Sequence, residues 1–251
     1  MTDHLQLLGI PTAPRHEDLV ANFIMQWLKR RSIPFRCDAR GNILAKLKAK
    51  SSRSSVAFAA HMDHPGFEIS RVKDKFIECE FLGGVARSYF QKGVSVEFFD
   101  VHGKVAGNAK IQGVLSWESR VRIILLKQIS GNLRQGMFGM WKLPVLQFTS
   151  THIVNRVCDD LAGCAAILST LSAVQKKRSH HAVYAIFTRR EEIGLEGAFE
   201  IARSKLLPKA VPIISIETSK ELSNARQGDG PIVRVGDRTS IFDPGASRLS
   251  R

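Results

Sequence analysis

Several things are scarce in this sequence. No apolar run approaches the roughly 20 residues that a membrane-spanning helix needs. The N-terminus, Met1-Thr2-Asp3-His4-Leu5, lacks the basic-then-apolar layout of a secretory signal. Cysteine occurs four times, at Cys37, Cys79, Cys158 and Cys164, in no C-x-x-C pair and in no disulfide-dense pattern. A reducing, cytoplasmic location without membrane contact is therefore expected. There is no internal repeat and no low-complexity tract. Aromatic residues are not interleaved with the basic ones, as a platform for single-stranded nucleic acid would require. The net charge of +14 invites a nucleic-acid reading. Its carriers are spread out, however: Lys29-Arg30-Arg31, Lys46 to Lys50, Lys176-Lys177-Arg178 and Arg189-Arg190. A solvated basic surface is the better account, and no nucleic-acid partner is expected.

What remains is a globular composition. The chain has 251 residues, 44% of them hydrophobic and 24% charged, enough for one large or two small domains. His16 to Arg31 reads as an amphipathic helix, because Leu19, Phe23 and Trp27 recur every four residues, as do Val20, Ile24 and Leu28. Asn42–Leu47 and Ser55–Ala60 read as strands, the second apolar enough to be covered on both faces. From Phe67 to about Gln147 the texture changes. Short β-type runs (67–72, 76–82, 94–99, 104–111 and 121–126) alternate with glycines, which argues for a small barrel or sandwich inserted into a larger domain. The α/β texture then returns. It comprises a helix from Asp160 to Val174 with Ala165, Ala166, Leu168 and Leu171 on one side, a polar turn at 176–181, and a buried strand Ala182–Thr188. A helix Glu196–Lys205 and a strand Val211–Ile216 follow. The expected fold is a three-layer αβα domain over residues 1–66 and 148–251, with a mixed, mostly parallel sheet. A β-rich insert over 67–147 interrupts it.

The chemistry is concentrated at strand ends. Ala60-His61-Met62-Asp63 closes the second strand with a His-x-Asp pair, and alternate residues of an extended segment face the same side. An imidazole and a carboxylate aimed at one point form a possible metal half-site. Cys158-Asp159-Asp160 opens a helix, Glu191-Glu192 follows a buried strand, and Glu217 ends the next one. Acids at a helix start or after a strand are individually ordinary. Jointly they would gather at the C-terminal edge of a parallel sheet, where their mutual repulsion calls for a divalent ion. The ligand count suggests two ions, and adjacent Glu191 and Glu192 suit a division of labour between base and ligand.

The segments Ile10 to Glu17, Gly41-Asn42, Ala60 to Asp63, Asp159 to Gly163 and Glu191 to Ala198 together resemble the glutamyl and tetrahedral aminopeptidases, a family of metallopeptidases with two co-catalytic ions. Phe81-Leu82-Gly83-Gly84, Gln91-Lys92-Gly93 and Gly103 to Gly107 are similar to that family's β-rich insert. The resemblance implies an aminopeptidase acting on peptide substrates with two divalent ions, Zn, Co or Mn. It further implies that His61 binds one ion, Asp159 bridges both, Glu192 binds the second and Glu217 completes the site. Glu191 is then the general base, Asp63 orients the His61 imidazole, and the Asp159–Asp160 peptide is cis. Assembly into large homo-oligomers through the insert is implied as well. The pattern departs from the family at Glu217 (usually Asp), Leu161 (often Arg) and His64-Pro65 (often Glu-Ile). The family also supplies a last metal-binding histidine near its C-terminus, and none of His4, His16, His102, His152, His180 or His181 has a matching context. The expectation is a chain lacking the C-terminal part of the domain. An impaired remnant binding at most one ion tightly stands beside the aminopeptidase reading, as does a related amidohydrolase or deacylase.

Overall fold

In the computed structural model, residues 3–48, 55–118, 121–177, 181–208, 211–237 and 240–245 are described. Arg178, Ser179 and His180 of the expected polar turn, the end of the Lys46–Lys50 run and the last six residues lie outside them. A 3-10 helix, Asp3–Gly9, leads into α1, Asp18–Arg30, whose Val20, Ala21, Ile24, Trp27 and Leu28 are buried. The Trp27 indole N–H donates to Asp3 Oδ1 at 3.2 Å, which ties the two helices together.

Five strands form one sheet: β1 (Phe35–Cys37), β2 (Ile43–Leu47), β3 (Ser55–His61), β12 (Ala182–Thr188) and β13 (Ile213–Ser215). Their order is β1-β2-β12-β3-β13. The pairings are evenly mixed: β12 and β13 run parallel to β3, whereas β2 runs antiparallel to both β1 and β12. All seven residues of β12 are buried, as a strand in the middle of a sheet with both faces covered must be. Val183, Ala185 and Phe187 point into the main core with Ile24 of α1 and Leu168 of α2 (Cys158–Lys177). Tyr184 and Ile186 point the other way, towards Ile201 of α3 (Glu196–Arg203). Burying a side chain such as Phe187 stabilises the fold by about 1.5–3 kcal/mol. Ala166, expected on the buried side of α2, is exposed: it lies on the helix face turned away from Leu168 and Leu171.

Between β3 and α2 the chain builds a closed barrel from β4 (Gly66–Lys73), β5 (Phe76–Leu82), β6 (Ser95–Phe99), β7 (Val105–Trp117), β8 (Arg122–Gly131) and β9 (Phe138–Trp141). Ile77, Cys79 and Phe81 alternate into its core, where Phe67, Phe81 and Phe90 meet edge to face at 4.8–6.0 Å. β7 is longer than its expected run because three register shifts let it keep pairing with β8 past Ile111. Such bulges interrupt the two-residue period on which a sequence reading depends. The barrel also feeds the main core, through Phe99, Phe138 and Met140. A short hairpin, β10 (Leu146–Phe148) with β11 (Ile153–Asn155), returns the chain to α2. β1, β9, β10 and β11 hold only three or four residues each, too few to carry a periodic signal in the sequence. No helix among the described residues is long and apolar enough to cross a membrane.

Candidate metal centre

The parallel register decides which side chains meet. Thr188 of β12 stands opposite His61 of β3, and Ser215 of β13 opposite Ala59. The segments that follow, Arg189 to Glu192 and Ile216-Glu217, therefore emerge at the same sheet edge as His61 and Asp63. The Asp159–Asp160 peptide at the start of α2 is cis, as the resemblance implied, and both residues are non-helical.

His61 is buried. Its Nδ1 lies 3.1 Å from the main-chain carbonyl of Asp63, which can only accept, so Nδ1 carries a hydrogen. Nε2 faces the acids: Asp159 Oδ1 at 3.2 Å, Glu217 Oε1 at 3.5 Å and Glu191 Oε2 at 3.9 Å. Asp63 thus holds the ring through its main chain, with its carboxylate 3.5 Å away. That carboxylate, expected to orient the imidazole, also has a second task. Its two oxygens accept the backbone N–H groups of Glu191 and Glu192, each at 3.0 Å.

Two donor groups share His61. One joins it to Asp159 and Glu192, the other to Asp160 and Glu217, with the ligand atoms of each group within 4.8 Å of one another. Glu191 belongs to neither. Asp160 was not expected as a ligand, although it stands next to Asp159. Its carboxylate is fully buried and accepts from the main chain of His61 at 3.3 Å and of Gly163 at 3.2 Å. Those two bonds make it a brace between β3 and α2. Among the described residues, no second histidine joins either group.

The electrostatics fit a cation. Asp159 Oδ1 is buried and, although His61 Nε2 lies 3.2 Å away, accepts no hydrogen bond of normal geometry, which leaves an acceptor that a metal would satisfy. Burial pushes Glu192 up to about 8, helped by repulsion from Asp159. Burial does the same to Asp160, also to about 8, with Glu217 adding to it against the pull of His61. Burial likewise raises Glu191. For His61, burial favours the neutral ring, but Asp159, Asp63 and Glu217 outweigh it and hold the imidazole protonated well above its ordinary range. The donor set of one imidazole and several carboxylates suits Zn, Co or Mn.

A pocket of about 720 Å³ opens beside Glu217, between α2 and residues 227–234. Leu5, Leu8, Ala165 and Ile232 make much of its wall apolar. A smaller hollow of about 280 Å³ on the β4–β5 hairpin is remote from the centre.

The family model described as M42 glutamyl aminopeptidase matches residues 41–119 and 129–249, well over half of the chain. The chain belongs to the M42 glutamyl aminopeptidase family. Among curated proteins, an Acetivibrio thermocellus protein named "Putative aminopeptidase" is 26% identical over 256 residues, covering 96% of this chain and 74% of its own. Solved structures share the fold, among them two peptidases. The TET1 peptidase of Pyrococcus horikoshii superposes with a TM-score of 0.76 at 19% identity, over 98% of this chain and 78% of that one. The TET aminopeptidase from Thaumarchaeota archaeon SCGC AB-539-E09 also gives 0.76, at 18% identity, over 97% and 74%. Membership of the M42 family places the chain among peptide hydrolases, and a His–carboxylate cluster able to hold metal lies where its sheet strands end.

Proposed function

We propose that this M42 chain is a metal-dependent aminopeptidase that removes N-terminal residues from peptides, using a site for two divalent ions. One observation carries the reading. Two donor groups meet at His61, at the end of three parallel strands, and include an orphaned buried oxygen of Asp159. His61, Asp159, Glu192 and Glu217 would hold the ions, with Asp159 placed to serve both. Divalent ions held there would supply Lewis-acid polarisation of the peptide carbonyl and a more acidic water. Glu191 would accept a proton from the attacking water at a carboxylate oxygen and return it to the leaving amine. Its carboxylate faces the centre without belonging to a donor group, and burial raises its proton affinity above that of an ordinary carboxylate. Asp63 holds base and ligand at a fixed separation through their backbone amides. The apolar pocket beside Glu217 is a place for substrate side chains.

A second reading has an observation of its own. Both donor groups rely on the same histidine, so a chain that loads only one ion tightly, with impaired turnover, is the rival. Metal analysis after gel filtration separates the two: about two equivalents support the dinuclear enzyme, and one or fewer supports the rival. Aminoacyl chromogenic substrates assayed beside N-acetyl amino acids test the reaction itself. Turnover of the latter alone would make the protein a deacylase.

The three-layer division into residues 1–66 with 148–251, and 67–147 as insert, belongs to this reading. So does a cytoplasmic homo-oligomer assembled through the barrel. The Pyrococcus horikoshii TET1 peptidase is described as assembling into a tetrahedron or an octahedral shell. Here the barrel exposes Val101, Leu115 and Ile129.

A further inference from the structure

Four consecutive backbone amides, from Arg189 to Glu192, are captured one after another by side chains from other parts of the chain. Asn42 Oδ1 accepts from Arg189 at 2.9 Å, Glu17 Oε1 from Arg190 at 3.0 Å, and the two oxygens of Asp63 from Glu191 and Glu192. All three acceptors are fully buried. We infer that Glu17 and Asn42 are positioning residues, which set the Glu191 base and the Glu192 ligand through the main chain that carries them. The inference rests on reading those two glutamates as base and ligand.

Glu17 occupies the N-cap position of α1, where a carboxylate ordinarily accepts from its own helix. It makes no such bond. Its Oε1 instead accepts from Arg15 at 3.1 Å and from Arg190, and its Oε2 lies 3.1 Å from Arg189 Nε. The side chain is spent on the loop rather than on its helix. Asn42 is oriented to match: its Nδ2 donates to Asp38 Oδ2 at 2.6 Å and to the Gly197 carbonyl at 3.3 Å, leaving Oδ1 for the loop.

Two glycines make room for this arrangement. A Cβ on Gly197 would stand 2.4 Å from both Arg189 O and Asn42 Oδ1. Gly41 has φ +82°, and a Cβ there would meet the Arg189 guanidinium at 2.8 Å. The loop needs holding, because Arg190 adopts φ 58°, a left-handed conformation that non-glycine residues leave unless their surroundings impose it. Glu17, Gly41-Asn42, Asp63 and Gly197 lie far apart in the chain, and they converge on the four residues that present the catalytic glutamates.

The test uses the full chain in three forms: parent, Glu17→Ala and Glu17→Gln. The amide of Gln keeps an oxygen to accept from Arg190, whereas Ala removes it. In the loaded protein, Glu17→Ala should lower kcat about 100-fold with KM within about twofold, as a misplaced base does. Co²⁺ affinity of the metal-free protein should fall about tenfold as Glu192 drifts. Glu17→Gln should recover kcat to within about threefold of the parent. Hydrogen exchange on the metal-free parent should show the amides of Arg189 to Glu192 protected, and in Glu17→Ala exchanging faster than those of β12. A folded Glu17→Ala with parental kcat and Co²⁺ affinity would overturn the inference. So would unprotected loop amides in the parent, which decides the matter even if Glu17→Ala does not fold. Protected amides released by Glu17→Ala in a protein without peptidase turnover would uphold the positioning and sink the aminopeptidase reading instead.

Discussion

The barrel and the sheet edge handle acidic residues in opposite ways. Around the barrel, Glu68, Glu78, Glu80 and Glu97 each meet a cation. Glu97 meets Arg156 at 3.0 Å and Lys142 at 3.6 Å, Glu68 and Glu80 share Arg15, and Glu78 lies 3.8 Å from Arg71. At the sheet edge Asp159, Glu191 and Glu217 crowd a single imidazole, and no Lys or Arg is paired with them among the described residues. An acid paired with a cation is a structural device. A group of acids crowded around one imidazole is a site prepared for a stronger cation. The contrast separates scaffold from chemistry within one chain.

The most severe way to break the contrast is to neutralise one acid at the edge. Glu191→Gln should lower turnover about 10³-fold, the scale of a lost general base, while bound metal, measured by elemental analysis, stays at the parental level. Metal lost together with activity would make Glu191 a ligand rather than the base.

Next in size is the response of the metal-free protein to pH. Glu192 and Asp160 titrate near 8 when folded, far above ordinary carboxyls, so between about pH 4.5 and 8 the folded state holds more protons than the unfolded. Stability is then greatest at the acid end of that window and falls as pH rises through it. Thermal melts of chelator-treated protein should lose several degrees from pH 5.5 to 8. Added Zn²⁺ should reverse the trend and bind more tightly as pH rises, because each ligand proton must leave. A melting temperature that rises with pH without metal contradicts the proposed cluster.

Breaking a barrel pair should matter less and differently. Arg156→Met leaves Glu97 with only the longer Lys142 contact, costing roughly 2 kcal/mol by denaturant unfolding, the scale of a hydrogen bond between charged groups. Its effect on metal affinity should be nil. The smallest effect is expected at the rim: Arg71→Ala should change stability by no more than about 0.5 kcal/mol, since that pair is long and solvated. A loss there as large as at Arg156 would mean that exposure does not set the value of the barrel pairs.

Some residues declare their place in the fold through sequence pattern, and others do not. Ser55–His61 and Ala182–Thr188 are apolar runs, and their place inside the sheet follows from composition. Ala182–Thr188 is buried throughout, whereas Ser55, Val56, Phe58 and Ala59 are only partly covered, short of the burial on both faces expected of that strand. Leu19, Phe23 and Trp27 mark α1 by their spacing. The barrel shows itself as short runs between glycines, although the bulged ends of β7 and β8 do not, because a register shift erases the period that marks a strand. Asp159 and Glu192 stand out because the first lies at the start of a helix and the second follows a buried strand. Asp160 does not, because nothing in the order of residues says which of two adjacent acids turns inward. Glu17 and Asn42 carry no catalytic signal, since their partners are main-chain amides and any residue supplies those.

The sequence by itself determined the alternating and continuous apolar patterns, and so the sheet strands, α1 and the insert. It also determined the supply of a histidine and several acids at strand and helix ends. Tertiary structure alone decided which of them meet. Register between β3, β12 and β13 is set by hydrogen bonds joining residues more than a hundred positions apart, and it brings Glu192 and Glu217 to His61. Which oxygen of Asp63 serves which amide, and where Glu17 spends its carboxylate, depend on the same long-range register, because hydrogen bonds have directions that composition does not carry.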